Sequence, residues 1–307
     1  MEFNNETIRI AVKLYLKNEK EGEEKYGHIN TWNVSGVTDM NHMFVGANAF
    51  NQPLSNWNVS NVTVMMHMFC FTTSFNQPLN KWDVSNVTNM SLMFRGTKLF
   101  NQPLNTWNVS GVTDMHGLFY RATEFNQPLN NWDVSNVTKM EWMFIQAHSF
   151  NQQLNNWDVR NVTSMYRMFD CAFTFNQPLD DWDVSNVTNM EWMFIDTISF
   201  NQPLNNWNVS NVTNMSWMFC GASSFNKPLN GWDVSNVTNI VGMFSSTTID
   251  EMLENHNLTN EKYFDKKVYH ELFVWPRKKD YVTFLVGNHY LPLNKHQEKH
   301  EYHPLFD

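Results

Sequence analysis

The stretch FNQPLNNWNVSNVTNMSWMF, residues 200–219, decides the architecture because the chain writes it repeatedly. Residues 75–94 read FNQPLNKWDVSNVTNMSLMF and residues 125–144 read FNQPLNNWDVSNVTKMEWMF. Tryptophan recurs at 32, 57, 82, 107, 132, 157, 182, 207 and 232, an unbroken spacing of 25. Phenylalanine keeps step at 44, 69, 94, 119, 144, 169, 194, 219 and 244, and a second series runs from Phe50 to Phe225. A fixed period of this size marks stacked units, too short here to be four-stranded propeller blades. One unit cannot bury its own apolar face, whereas neighbours in a stack bury a continuous core.

Within a unit, Trp207 and Val209 alternate with polar neighbours, which predicts a short half-buried strand. Val212, Met215, Met218 and Phe219 follow at i, i+3, i+6 and i+7, which predicts a short helix with Ser210 as its cap. Arg160 replaces that serine in one copy. An Ala or Thr at 47, 72, 97 and their equivalents closes the turn where coils would crowd, and proline fixes the return except at Gln153. The asparagines at 51, 76, 101 and onward, and the Asp or Asn after each Trp, are expected to stack, with amide bonding amide along the axis.

These readings give an α/β repeat solenoid of nine 25-residue coils, each with a short parallel strand and a short helix, capped by helices at both ends. Residues 1–27 form an N-terminal helical cap, 28–247 the nine-repeat solenoid, and 248–307 a C-terminal helical cap or docking segment. At about 4.8 Å per coil the stack is about 40 Å long. Ile8, Ala11, Val12, Tyr15 and Leu16 fall on one face of the N-terminal helix, which Asn4 or Asn5 can cap. Helical candidates near 248–256 and 260–273 follow the last repeat.

The net charge of −9 and the absence of a basic region argue against a nucleic-acid partner. The basic patch at Arg277, Lys278 and Lys279 reads as a solvated loop. No run of about 18 apolar residues exists, so no membrane span is expected. The first residues, MEFNNETIRI, lack the features of a signal peptide. Cys70, Cys171 and Cys220 fall two or more coils apart, beyond the roughly 7 Å that a disulfide tolerates, and are expected to be free thiols. Free thiols and the missing leader favour an intracellular location, with virion association an option for a viral chain. Asn-Val-Thr and Asn-Val-Ser match the glycosylation sequon as a by-product of turn chemistry.

The unit FNQPLNxWDVSNVTNMxxMF resembles the BspA-like leucine-rich-repeat surface-protein repeat of mycoplasma lipoproteins, other bacterial surface proteins, and protist and giant-virus proteins. The resemblance covers about residues 26–247. It implies an LRR-like solenoid used for binding, adhesive in some bacterial members, without a shared enzymatic activity or defined catalytic residues.

Positions that never change are structural by default, so function is sought where copies differ. The two residues before each Met-Phe pair vary most; their second members include His42, His67, Trp142, Arg167, Trp192 and Trp217. On the expected helix that second member leans outward, so Trp142, Arg167, Trp192 and Trp217 form a candidate partner-binding stripe. His42 and His67 share the register but lack a third ligand. His296, His300 and His303 at i, i+4 and i+7 are a weak metal candidate. No Cys-x-x-Cys, phosphate loop, nucleophile elbow or His-Glu-x-x-His is present, so neither catalytic residues nor a cofactor are expected. The reading is a non-enzymatic protein–protein interaction scaffold, monomeric or weakly self-associating. A surface or virion-associated adhesin-like protein is the alternative, and an enzyme a second one.

Overall fold

The computed structural model describes residues 2–264. Nine 25-residue coils stack in register, and in every one the same positions turn inward. In the fifth coil Leu129, Trp132, Val134, Val137, Met140, Met143, Phe144, Ala147 and Phe150 are all buried. Rings repeat directly above one another: Phe94, Phe119 and Phe144 follow at 5.8 and 5.7 Å, and Trp107, Trp132 and Trp157 at 6.5 Å. A single apolar column therefore runs the length of the array, with no core belonging to any one coil.

The backbone is not the α/β one expected. Among the described residues the coils are bridged to one another at single positions, such as Asp39 with Val64 and Val64 with Asn89. The first coil has one further bridge, Asn33 with Glu2, and none of these bridges extends into a strand. Nor does any repeat contain an α-helix; α-helices occur only outside the coils. Each coil is a closed succession of tight turns. Amide N–H groups reach back three residues in Trp207 to Leu204, Val212 to Val209, Met218 to Met215, Cys220 to Trp217, Ala222 to Phe219 and Phe225 to Ala222.

The helix fails because Trp217 takes φ +57° and Gly221 φ +69°, reversing the hand of the chain twice within five residues. The apolar spacing that looked helical is the spacing of consecutive turns, each placing one side chain inward. The strand fails for a related reason: Trp207 and Val209 are buried and Asn208 is exposed, yet their amides are spent on local turns or face no partner strand.

Coil-to-coil cohesion comes from a directional ladder along one edge. Met65, His67, Phe69 and Phe71 donate to the carbonyls of Asn89, Ser91, Met93 and Arg95 in the following coil, and the pattern recurs along the stack. Side chains add further columns. From Trp57 to Trp232, each indole N–H of the buried tryptophan column reaches a carbonyl of the preceding coil, as Trp132 Nε1 does to Leu104 O at 3.0 Å. Thr72 and Thr97 hydroxyls donate to Phe44 and Phe69 carbonyls, both at 2.8 Å. Asn86 Nδ2 donates to Ser60 O at 2.7 Å.

The asparagine column is real but differs in chemistry from the expected amide-to-amide ladder. Asn76 Oδ1 accepts the backbone N–H of Asn101 and the side chain of Gln102, both at 3.0 Å. The Asx residue after each Trp works locally. Asn208 Oδ1 takes both the N–H and the hydroxyl of Ser210, so the serine donates where it was expected to accept.

Two helices close the first coil. α1 (Asn5–Lys17) starts at Asn4 with a capping box and buries Ile8, Ala11, Val12 and Tyr15; α2 (Glu19–Tyr26) follows directly. Asn5 Oδ1 accepts the N–H groups of Thr38 and Asp39, replacing the carbonyl that a preceding coil would offer. At the other end α3 (Thr248–Asn255) and α4 (Asn260–Tyr263) pack on the last coil, where Tyr263 is fully buried and its hydroxyl accepts the N–H of Leu229. The C-terminal helical candidate thus forms in part; its continuation to 273 lies outside the described residues.

Candidate functional site

The two variable columns lie on the ladder edge, and their backbone is unusual. His42, His67, Leu92, Trp142, Arg167, Trp192 and Trp217 all have φ between 56° and 65°, and Gly117 and Gly242 complete the series at 58° and 64°. Four residues on, a second left-handed column runs through Gly46, Phe71, Gly96, Arg121, Gln146, Cys171, Asp196, Gly221 and Ser246. A left-handed residue other than glycine costs about 1 kcal/mol or more. Most of these positions nevertheless carry a side chain.

Those side chains lie along the edge and over the next coil. A β-carbon added to Gly242 would sit 2.5 Å from Trp217 Cε3, and one added to Gly96 would sit 2.5 Å from Phe71 Cδ1. Leu92 covers Gly117 in the same way. Glycine serves twice at these places, by accepting the dihedral and by making room for the residue before it.

The structure brings all four residues of the expected stripe, Trp142, Arg167, Trp192 and Trp217, into one column. They are half-buried where an outward lean was expected, because the left-handed turn lays them flat against the following coil. The Arg167 guanidinium lies 3.9 Å from the Trp192 ring centre, and the His116 ring is 4.7 Å from that of Trp142. The indole N–H groups of Trp142 and Trp192 are buried and make no hydrogen bond within the described residues. Further down, Arg95 lies between Phe71 and Tyr120, at 4.8 and 5.1 Å. His42 and His67 stack face to face at 4.4 Å, an arrangement that points their nitrogens side by side and not toward a shared centre.

Electrostatics along this edge follow burial. Asp170 is 7 % exposed, and burial pushes its carboxyl up to about 6 although Arg167 Nε lies 3.2 Å from Oδ2. That contact is an ion pair, not aligned for a hydrogen bond. Burial also raises Asp196 and pushes the Cys220 thiol up to about 11, and the Cys70 and Cys171 thiols rise for the same reason. His67 is lowered, by burial first and then by His42, Arg95 and His116. Glu141 would be raised by burial, but its hydrogen bonds, led by that from His116, bring it below the usual carboxylate range. All three cysteines are free.

Among the described residues no three His, Cys, Asp or Glu side chains converge as a metal site. His296, His300 and His303 lie outside those residues. No helix among the described residues is long and apolar enough to cross a membrane. The second left-handed column escaped sequence reasoning, though the glycines at 46, 96, 117, 221 and 242 signalled that both columns take positive φ.

The family model described as "Mycoplasma protein of unknown function, DUF285" matches residues 14–115, 100–198 and 174–271, in three overlapping stretches. Neither the curated proteins nor the solved structures gave a match.

Proposed function

The chain belongs to this mycoplasma repeat family of unknown function, DUF285, and from that premise we propose that it is a non-enzymatic scaffold whose ladder edge binds another protein. The observation that carries the reading is the chemistry of the left-handed columns. The coils could place glycine at every such position at lower backbone cost, yet this edge holds Trp142, Arg167, Trp192 and Trp217. Elsewhere the repeated polar residues are occupied in joining coils: Thr88 to Thr63, Asn86 to Ser60, Asn101 to Asn76. The ladder edge combines sequence variety with large amphipathic side chains, and the buried N–H groups of two of its indoles make no hydrogen bond within the described residues. Trp and Arg are the residues on which interface energy most often concentrates. The resemblance to BspA-like repeats belongs to the same proposal, as a precedent for a rigid solenoid used in binding.

The test compares wild type with a variant carrying Trp142→Ser, Trp192→Ser and Trp217→Ser together with Arg167→Gln and Asp170→Asn. The last change is needed because removing Arg167 alone would strand a buried carboxylate. Circular dichroism and melting establish that the variant folds, and affinity capture from the native cell then reads out partners by quantitative mass spectrometry. Loss of a partner that a Thr63→Ala, Thr88→Ala control on a repeated polar column retains is the expected result. Retention of the same partners by the folded stripe variant would sink the reading.

A further inference from the structure

The ladder has a direction, and its first coil shows what that direction leaves unmet. Carbonyls of each coil accept from the coil before, as Val64, Met66, Met68 and Cys70 do from Met40, His42, Phe44 and Gly46. The equivalent acceptors of the first coil are the carbonyls of Asp39, Asn41, Met43 and Val45, and no coil precedes them. Arg9 of α1 supplies the missing donors for two. Its Nη1 donates to Asn41 O at 2.6 Å and its Nη2 to Asp39 O at 3.5 Å, with the Asp39 carboxylate 3.3 Å away. The carbonyls of Met43 and Val45 receive no hydrogen bond from the described residues.

A hollow of about 470 Å³ opens beside Val45, between the first coil and the junction of α1 with α2. Its floor includes Val45, 42 % exposed, and Gly46, where an added β-carbon would meet nothing within 4 Å. In later coils Phe71 covers Gly96 and Asp196 covers Gly221, so the hollow is the space that a preceding coil would fill. Leu16 and Ala49 add apolar surface, and Glu19 stands at the wall. Glu19 Oε1 accepts from the Tyr15 hydroxyl at 2.9 Å and from Gln52 Nε2 at 2.8 Å, which holds the carboxylate in place. Oε2 accepts from neither.

We propose that this hollow binds an organic cation, a guanidinium or ammonium group on a short apolar stem. The open backbone acceptor at Val45 and the anchored carboxylate of Glu19, both at the exposed wall of the hollow, together offer such a group acceptors and a negative charge. Arg9 already shows, two ladder positions away, that a guanidinium satisfies this edge. The volume is within the range of small-ligand sites, and Leu16, Val45 and Ala49 would cover the stem.

Titration of the full chain with butylguanidinium, butylammonium and n-butanol, followed by amide NMR, tests the assignment. Saturable shifts centred on residues 45–52 are expected with both cations, with n-butanol weaker by about tenfold, since it keeps the stem and loses the charge-assisted bonds. Glu19→Gln retains an oxygen for Tyr15 and Gln52 and is expected to weaken cation binding about tenfold. Ala49→Trp, which fills the hollow from a surface turn, is expected to abolish it. An acetylated, amidated Gly-Arg-Gly peptide separates the two sources of such a group. Binding equal to butylguanidinium supports an arginine presented by a partner, and weaker binding supports a free small cation. Shifts that stay linear with cation concentration, or equal binding by wild type and Glu19→Gln, would overturn the proposal.

Discussion

Asp170 shows how one side chain records the cost of its surroundings. Burial raises its carboxyl from 3.8 to about 6, and Arg167 only partly opposes this. A folded-state value above the unfolded one means that the group's contribution to stability is fully present below about 3.8. It is lost as pH rises through about 6, where the charge must be held in the column. The difference corresponds to about 2–3 kcal/mol at pH 7.5. Asp170→Asn is therefore expected to melt several degrees above wild type at pH 7.5 and to lose that advantage by pH 4. Thermal melts across that range decide it; a lower melting temperature at pH 7.5 would mean that the Arg167 pair outweighs burial. Such a residue was legible only as a departure from the repeat. The sequence shows that Ile145, Asp170 and Ile195 share a register, but only the turned backbone reveals that Asp170 is buried there.

At the scale of the element, two glycines separate backbone strain from crowding. Gly46 and Gly96 occupy the same place in different coils with φ +70° and +67°. A β-carbon on Gly46 meets nothing within 4 Å, whereas on Gly96 it meets Phe71 Cδ1 at 2.5 Å. Gly46→Ala is expected to cost about 1 kcal/mol for the dihedral alone. Gly96→Ala should cost about 1–3 kcal/mol more, because a packed neighbour must shift. Denaturant unfolding of both variants measures the difference, and equal costs would show that Phe71 moves aside freely. The same positions explain why the inward face could be read from sequence while the backbone could not. Trp207, Val209, Val212, Met215, Met218 and Phe219 are buried as their spacing required. Tight turns and a helix both bring every third or fourth residue inward, so periodicity alone does not choose between them. What chooses is the positive φ at Trp217, and a tryptophan there gives no hint of it. The stripe was legible as a register for the same reason, but its lean was not.

For the whole molecule, stability is a sum over coils and their contacts with neighbours, with no central core to lose. Excising residues 125–149 joins Glu124 to Phe150 with every column intact, and a cooperative melt within several degrees of wild type is expected. Excising residues 125–148 shifts everything downstream by one residue and directs polar side chains inward. That variant should lose cooperative unfolding, as followed by circular dichroism. If both deletions behave alike, the register does not hold the array together. The columnar order itself was plain from the 25-residue spacing. The ends were less so, because closing them depends on single groups: Arg9 on the carbonyl side and, on the amide side, Asp250, whose Oδ2 accepts the N–H of Ser246 at 2.9 Å. Along the ladder edge a cation thus meets the acceptor end and an anion the donor end. The opposite-running Thr63-to-Thr38 ladder leaves donors on the first coil that the neutral Asn5 meets, so the two ends are unlike surfaces. Ends that differ in this way complement one another, which is the geometry of a head-to-tail filament. The short helix that carries Arg9 occupies one of the two mating surfaces. By that position alone it covers, along the ladder edge, carbonyls of the first coil on which a further coil would stack.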